Sequence, residues 1–244
     1  MGGSQATPLL ETRHLTKSFR GRKVIDDLNI RVMKGDVYGF LGRNGQGKTT
    51  AIRMMTGLVF PDAGDVLIKG ISLRMDFKRA ISHVGAIVET PAFHDYLTGY
   101  ENLALMANLA PGVSKNRIRE VLDIVGLGSR ARDKVKTYSL GMKQRLGIAN
   151  ALLHEPELII LDEPTNGLDP QGMKEMKELI LQLASEKNIT FFISSHLLHE
   201  MQDLCNRIGI IQNGRLLIET EIREWSGAAG DFSLEKLYFE ATRL

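Results

Sequence analysis

Cysteine is almost absent from this sequence. A single cysteine, Cys205, occurs among 244 residues, so the chain cannot close an internal disulfide or assemble a cysteine metal cluster. This usage fits a reducing compartment and excludes the disulfide-rich secreted class. The amino end, MGGSQATPLLETRHL, also lacks the basic stretch and apolar core of a secretory signal. We therefore expect the protein to remain in the cytoplasm.

The sequence also lacks a dominant charge and a long apolar run. Its 31 basic and 29 acidic residues give a net charge of only +2, which provides no electrostatic footprint for nucleic acid, so no nucleic-acid partner is expected. No window approaches the roughly 18 to 20 consecutive apolar residues that span a membrane. An anionic ligand must be held by local groups, and any membrane-spanning segment must belong to another chain.

Hydrophobic periodicity predicts an α/β fold with a helical insert. The first third contains short strand patterns, LLETRHLTKSF, VIDDLNIRV, DVYGFLG and GDVLIKGISL, separated by turn residues. From about Tyr100 to Leu152 the apolar spacing is helical, with Ser114 as a candidate N-cap. The later apolar runs LIIL and ITFFIS lie between helix patterns, which is typical of buried strands in a parallel sheet.

A glycine-rich stretch, FLGRNGQGKTT, indicates a phosphate-binding loop. Gly42, four further residues, Gly47, Lys48 and Thr49 match the pattern GxxxxGK[ST]. Glycines at 42, 45 and 47 allow backbone N–H groups to point inward, while the helix that follows directs its positive end at the same place. Lys48 would reach the β and γ phosphates, and the Thr49 hydroxyl would ligate magnesium.

The alternative is an ordinary glycine turn with a solvated lysine. The four fixed positions should occur by chance in a chain of this size roughly one time in a hundred, and the preceding strand and following helix supply the required context. We therefore expect nucleotide binding by Gly42, Arg43, Asn44, Gly45, Gln46, Gly47, Lys48, Thr49 and Thr50.

Two adjacent acids follow the apolar run in LIILDEP. Asp162 is placed to meet magnesium directly or through water, and Glu163 follows at the carboxyl end of the predicted strand, where α/β sites form. Glu163 is the natural general base for a water that attacks the γ phosphate. Taken alone, two acids before a proline could also mark a helix start or a turn. The nearby phosphate-loop pattern favours the catalytic interpretation.

The order of five motifs resembles the ATP-binding subunits of ABC transporters over nearly the whole chain. The motifs are GRNGQGKTT, YSLGMKQRLGIA, LIILDEP, TNGLD and the histidine of ISSHLLHE. The resemblance implies a P-loop NTPase: a RecA-like core with an antiparallel β subdomain and an inserted α-helical signature subdomain. It implies an ABC ATPase domain at 1–223, with a helical subdomain at about 92–155, and a linker and helix at 224–244. ATP and Mg²⁺ are the implied cofactors.

The signature segment YSLGMKQ carries further implied roles. By resemblance, Ser139 and Gly141 begin a helix whose amino end faces ATP bound to a second copy of the domain. A serine before a helical pattern is also a common helix cap, which is the simpler interpretation. Leu140 and Met142 depart from the usual glycine and glutamine of the signature.

The resemblance assigns roles to three more residues. Asp169 resembles the residue that communicates between two nucleotide sites, and His196 resembles the switch histidine that contacts the γ phosphate. A lone histidine after a strand is more often structural. Phe19 stands where the family often stacks an aromatic ring on adenine, and its alternative is simple burial in the core.

An informative departure is Glu89, predicted to end the strand in HVGAIVETPAF. Most relatives have a glutamine there, which contacts magnesium and senses the membrane subunit. A carboxylate can also ligate magnesium, but it adds negative charge beside the phosphates. With a glutamate at this position, the chain resembles the ATPases of lantibiotic-immunity and bacitracin-type export systems. An alternative is a damaged site in a weakly active regulator.

The resemblance also implies partners. One signature per chain implies a homodimer or heterodimer of ATPase subunits. Separate transmembrane permease subunits would complete a peptide-antibiotic exporter on the cytoplasmic face of a bacterial plasma membrane. Phe93, Tyr96 and Leu97 would lie at the surface that receives a permease helix, or in a buried hinge. The alternatives are export of a drug or lipid, or a soluble ATPase that acts on nucleic acid or ribosomes.

Overall fold

The computed structural model describes residues 7–109, 112–222 and 233–242. The strands of this part of the chain are β1 (Leu10–Phe19), β2 (Arg22–Val32), β3 (Val37–Leu41), β4 (Ala63–Ile68), β5 (Ile71–Ser72), β6 (Val84–Ile87), β7 (Leu158–Asp162), β8 (Thr190–Ser195), β9 (Arg207–Gln212) and β10 (Arg215–Glu221). The helices are α1 (Lys48–Met55), α2 (Phe77–Ile81), α3 (Gly99–Ala107), α4 (Lys115–Ile124), α5 (Leu140–Leu152), α6 (Pro170–Lys187), α7 (Leu198–Leu204) and α8 (Leu234–Thr242), with short 3₁₀ helices at Gly128–Arg130 and Val135–Thr137.

A four-stranded sheet forms from the first part of the chain. Its strand order is β2-β1-β4-β5, and neighbouring strands are antiparallel. Along β2, Leu28, Ile30 and Val32 are buried while the residues between them are exposed. This alternation is expected where one face of a sheet packs on the core and the other meets solvent.

A six-stranded sheet forms the centre of the molecule, in the order β10-β9-β3-β8-β7-β6. Strands β9, β3, β8, β7 and β6 are mutually parallel, and β10 is an antiparallel edge strand. Every residue of β7 and β8 is buried, which explains their continuous apolar runs. The predicted parallel sheet is therefore confirmed.

The register places four strand ends at one edge of this sheet. Leu41 of β3 pairs with Ser195 of β8, and Asp162 of β7 pairs with Ser194. β6 lies beside β7 on the other side. The segments that follow β3, β6, β7 and β8 therefore emerge together, at the carboxyl edge where α/β proteins bind ligands.

The predicted helical insert consists of α3, α4 and α5, between β6 and β7. Thr98 and Glu101 form a capping box at the start of α3, and Ser114 caps α4 by accepting a hydrogen bond from the Arg117 amide, as predicted. Leu103 and Leu146 of the insert share one apolar cluster with residues of the six-stranded sheet. The insert therefore packs directly against the sheet.

The end of β6 and the carboxyl-terminal helix were both predicted from the sequence. β6 ends at Ile87, so the prediction that its strand ends with Glu89 is wrong. Glu89 has a φ of 62°, a left-handed conformation that cannot continue a strand. The predicted carboxyl-terminal helix is α8, which buries Leu234 and Leu237, whereas the predicted linker before it largely lies outside the described residues.

Among the helices of the described residues, none has both the length and the apolar character needed to cross a bilayer.

Candidate active site

The glycine loop connects β3 to α1 in a conformation that larger residues would disturb. Gly47 has a φ of 104°, and a Cβ added there would lie 2.9 Å from the Val24 carbonyl oxygen. The Gly42 amide donates to the Ser195 carbonyl at 3.3 Å, which joins the loop to the end of β8. No side chain caps the start of α1, so its first amides remain available to an anion.

The same loop is tied to the turn between β9 and β10. The Gln46 side-chain oxygen accepts from the Asn213 amide at 2.5 Å, and its backbone carbonyl accepts from the Gly214 amide at 3.2 Å. The Gly214 carbonyl in turn accepts from the Asp26 amide of β2. Gln46, predicted to bind nucleotide, thus uses its side chain to brace the loop.

Lys48 is the buried cation of the site. Its side chain is only 5% exposed, and its ammonium donates to the backbone carbonyls of Gly42 at 2.6 Å and Arg43 at 3.3 Å. The same ammonium lies 3.0 Å from Oε1 of Glu163. The structure therefore brings together the lysine and the carboxylate that the sequence assigns to phosphate binding and water activation.

Glu163 follows β7 in a left-handed conformation, with a φ of 50°. Such values are uncommon for residues other than glycine, and they cluster at functional sites. Its amide donates to the carbonyl of Ser194 at 3.2 Å and to the hydroxyl at 3.0 Å. Its Oε2 lies 2.6 Å from Nδ1 of His196. One carboxylate therefore contacts both Lys48 and the predicted switch histidine.

Ser194 is a site residue that the sequence analysis missed. Its hydroxyl donates to Oδ1 of the buried Asp162 at 2.6 Å, and it accepts from the Glu163 amide. It holds both acidic residues in place from the neighbouring strand. The only signal in the sequence was the pair of serines that ends the apolar run ITFFISS.

A cavity of about 290 Å³ lies between the glycine loop and Glu163. It is lined by Val24, Asn44, Gly45, Gly47, Lys48, Thr49, Thr50, Glu163 and Asn166. All of these except Val24 and Asn166 were predicted site residues. Lys48 and Glu163, which are 115 positions apart in the sequence, therefore line one pocket whose groups suit a phosphate chain.

The donor set beside this cavity fits magnesium. Thr49 lines the cavity and carries a hydroxyl, and Asp162 carries a carboxylate at the end of β7, directly before the cavity residue Glu163. In the described ranges, His, Cys, Asp and Glu side chains form no group of three that could hold a metal by themselves. Mg²⁺ needs no such cage, because one or two protein oxygens and the substrate phosphates usually suffice.

Glu89, the third predicted metal ligand, does not line the cavity. Its carboxylate is 60% exposed, and its Oε1 accepts a hydrogen bond from Nη2 of Arg53 at 2.6 Å. The structure therefore places Glu89 two residues beyond the end of β6, with a partner that the sequence analysis did not consider.

The signature residues lie on a different part of the chain. Ser139 caps α5, its hydroxyl accepting from the Met142 amide at 3.2 Å. Before it, burial raises the pKa of Tyr138, whose protonated hydroxyl donates to the Arg130 carbonyl at 2.7 Å. This anchor fixes the entry to α5. Ser139 does not line the Lys48 cavity.

The start of α6 lies next to the start of α5. Asp169 caps α6 by accepting from the Gly172 amide at 2.9 Å, and a Cβ added to Gly141 would lie 3.8 Å from Cδ2 of Leu168. Leu140 also approaches Gly167, within 3.3 Å of where a Cβ would lie. The signature helix and the TNGLD loop therefore meet at their amino ends.

Phe19, at the end of β1, is 46% exposed. Its alternative interpretation as a buried core residue is therefore wrong. The Lys17 ammonium lies 5.4 Å from the ring centroid. The ring remains partly open to solvent, as an adenine-stacking residue must be.

Comparison with known proteins decides the family. The family model described as ABC transporter matches residues 25–166. This chain belongs to the ABC transporter family. It is 54% identical to the bacitracin transport ATP-binding protein BcrA of Bacillus licheniformis over 86% of this chain and 69% of that protein. It is 40% identical to the lantibiotic transport ATP-binding protein SrtF of Streptococcus pyogenes over 94% and 96%.

A solved structure of an ATP-binding subunit of an ABC transporter is 32% identical in sequence. It superposes with a TM-score of 0.82 and covers 96% of this chain and 100% of that one. The ABC transporter ATPase is therefore an α/β P-loop protein that binds and hydrolyses ATP with Mg²⁺. The resemblance to bacitracin and lantibiotic transport ATPases is confirmed.

Proposed function

We propose that Glu163 is the general base of ATP hydrolysis, that Lys48 binds the phosphates, and that His196 orients Glu163. The observation that supports this is the contact of both side chains with one carboxylate, 3.0 Å and 2.6 Å away, beside the phosphate-sized cavity. When Lys48 turns its ammonium to phosphate oxygens, Oε1 of Glu163 is released. The free oxygen then takes a proton from the attacking water.

The backbone amides of residues 42–50 would hold the phosphate chain, and Thr49 and Asp162 would hold magnesium. Magnesium, when bound, neutralises charge on the phosphates. Ser194 orients Asp162 through its 2.6 Å hydrogen bond. Phe19 would stack on adenine with its exposed face.

The ATPase would act as a dimer of this subunit or of two related ATPase subunits. Neither Ser139 nor Gly141 lines the cavity of its own chain, and Ser139 caps a 13-residue helix whose positive end favours an anion. Facing a second protomer, this end would complete the site around ATP. Asp169, the cap of α6, lies next to the start of α5. It would transmit conformational changes from one nucleotide site of the dimer to the other.

Separate permease subunits would carry the transported molecule. Two relatives are named for bacitracin and lantibiotic transport, which favours a peptide antibiotic as the exported substrate. The subunit would sit on the cytoplasmic face of a bacterial plasma membrane, held there by the permease. Tyr96, 79% exposed just before α3, would belong to the docking surface together with Leu97 and the partly buried Phe93.

The dimer can be tested by cysteine cross-linking, because the single native cysteine is buried. We would place Asn44→Cys and Ser139→Cys on separate molecules of a Glu163→Gln background and mix them under oxidising conditions with Mg²⁺–ATP. A covalent dimer that requires nucleotide is expected. Mixtures with only one of the two cysteines are the control. No cross-link, with ATP binding intact, would contradict the proposed arrangement.

The transport role is tested in the bacterium that encodes the protein. Deletion should lower the concentration of bacitracin or a lantibiotic that stops growth, and the wild-type chain should restore resistance whereas Glu163→Gln should not. A polytopic membrane protein should co-purify in stoichiometric amount from detergent extracts. Co-purification with ribosomes or nucleic acid, and unchanged resistance to these peptides, would contradict the proposal.

A further inference from the structure

An ion pair joins the segment after β6 to the helix of the phosphate loop. Oε1 of Glu89 lies 2.6 Å from Nη2 of Arg53, and the two side chains are 60% and 40% exposed. Within the described residues, neither side chain forms another hydrogen bond or ion pair. The pair therefore depends on these two residues alone.

Arg53 is fixed relative to the phosphate loop. It lies on α1 four residues after Thr49, so the two side chains share one face of the helix, one turn apart. Its backbone carbonyl accepts from the amides of Leu58 at 2.8 Å and Val59 at 3.0 Å, which holds the end of α1. A displacement of Arg53 would thus require a displacement of the helix that begins at Lys48.

Glu89 pairs with an arginine one helical turn from Thr49, so it adds a negative charge near a site that must accept the negative charge of ATP. At separations near a nanometre and with partial screening, one unpaired charge changes anion affinity by roughly two- to ten-fold. Arg53 supplies the opposite charge directly at the carboxylate. The loss of ATP affinity that an unpaired Glu89 would cause is thereby offset by a residue of the same chain.

We infer that Arg53 is a positioning residue that holds Glu89 by α1 and neutralises its charge, so that this site binds Mg²⁺–ATP despite the acid at its edge. This inference rests on the proposed function, in which Thr49, one helical turn before Arg53, holds magnesium. Without Arg53, the free carboxylate repels ATP, and this repulsion is strongest when no magnesium shields the phosphates. Arg53 thus sets how strongly ATP binding depends on magnesium.

The test is a double-mutant cycle of Arg53→Gln and Glu89→Gln, read as the dissociation constant of ATP in EDTA and in excess Mg²⁺. Arg53→Gln should weaken binding about three- to ten-fold in EDTA and less than about two-fold in Mg²⁺. Glu89→Gln, which leaves the Arg53 charge unpaired, should strengthen binding in EDTA by a similar factor, and the double variant should bind ATP within about two-fold of wild type in either condition. Arg53→Lys should recover most of the loss, because it keeps the charge.

Controls separate this inference from the proposed function. Arg119→Gln removes an exposed arginine of α4 and should leave both constants unchanged. Raising the salt concentration to 0.5 M should shrink the Arg53→Gln effect. A double variant that binds ATP as weakly as Arg53→Gln, or no effect of Arg53→Gln at all, would overturn the inference while wild-type ATP binding stays intact. Loss of ATP binding or hydrolysis by the wild-type chain would instead overturn the proposed function.

Discussion

Glu163 and Glu89 follow parallel strands of the same sheet, but their surroundings differ. Both have left-handed backbone, with φ of 50° and 62°, and both emerge at the carboxyl edge. Glu163 is 20% exposed and pairs with Lys48 and His196, whereas Glu89 is 60% exposed and, among the described residues, pairs with Arg53 alone. Both carboxylates therefore lie at the carboxyl edge because each follows a strand of the same sheet. Only Glu163 is enclosed between two potential cations, Lys48 and His196, and this enclosure makes it the one suited to catalysis.

The largest expected difference between the two acids is in turnover. Glu163→Gln keeps the size and hydrogen bonding of the side chain but removes the proton acceptor, so kcat should fall roughly 10²- to 10⁴-fold. Glu89→Gln should change kcat less than about ten-fold. ATPase assays at saturating Mg²⁺–ATP measure both. Equal losses for the two variants would remove the proposed distinction between them.

The next largest effect is expected on ATP affinity when Lys48, the buried cation beside Glu163, is replaced. Lys48→Ala leaves Glu163 without the ammonium at 3.0 Å and removes a phosphate partner, so the dissociation constant of ATP should rise at least roughly 30-fold. Calorimetry with Mg²⁺–ATP measures it. Lys34→Ala, which removes an exposed lysine paired with Glu157, is the matched control and should bind ATP normally.

A smaller effect should follow removal of the Ser194 hydroxyl, which hydrogen-bonds both Asp162 and the amide of Glu163. Ser194→Ala leaves Oδ1 of Asp162 without its 2.6 Å donor, and unsatisfied buried acceptors cost about 1–3 kcal/mol. We expect kcat to fall about ten-fold while KM changes less than two-fold. Ser185→Ala, on the exposed face of α6, should leave both constants unchanged. A change in KM alone would show that Ser194 does not act through the catalytic acids.

The smallest expected effect is on the thermal stability that the Arg53–Glu89 pair contributes to the folded protein. The Arg53–Glu89 pair is largely exposed, and such pairs contribute about 0.2–1 kcal/mol. Arg53→Gln should therefore lower Tm by no more than about 4 °C, and 0.5 M salt should remove most of this difference. Thermal denaturation without nucleotide measures it. A much larger decrease would mean that the pair supports the fold.

Much of this site follows from local sequence, because its backbone requirements are local. Glycines at 42, 45 and 47, followed by Lys48, specify a phosphate loop before a helix, and the apolar run before Asp162 places that acid at a strand end. The same reasoning placed Ser139 at a helix start. These features depend on residues that are close together along the chain.

The partners of these residues could not be predicted. Gln46 meets Asn213, 167 residues away, and Ser194 meets Asp162 only because β7 and β8 are neighbours in this register. Arg53 reaches Glu89 because α1 ends where the segment after β6 passes. Such contacts depend on strand order and helix placement, which residue patterns leave open. The left-handed backbone of Glu89 was missed for the same reason.

The brace between Gln46 and residues 213–214 joins three elements that are far apart in sequence: the phosphate loop, the β9–β10 turn and, through Asp26, strand β2. Tightening of the loop around a ligand would therefore pull on the hairpin and on the antiparallel sheet together. Amide hydrogen exchange should slow in all three places at once when ATP is added. A short insertion in that turn, which carries none of the proposed catalytic side chains, would weaken ATP binding.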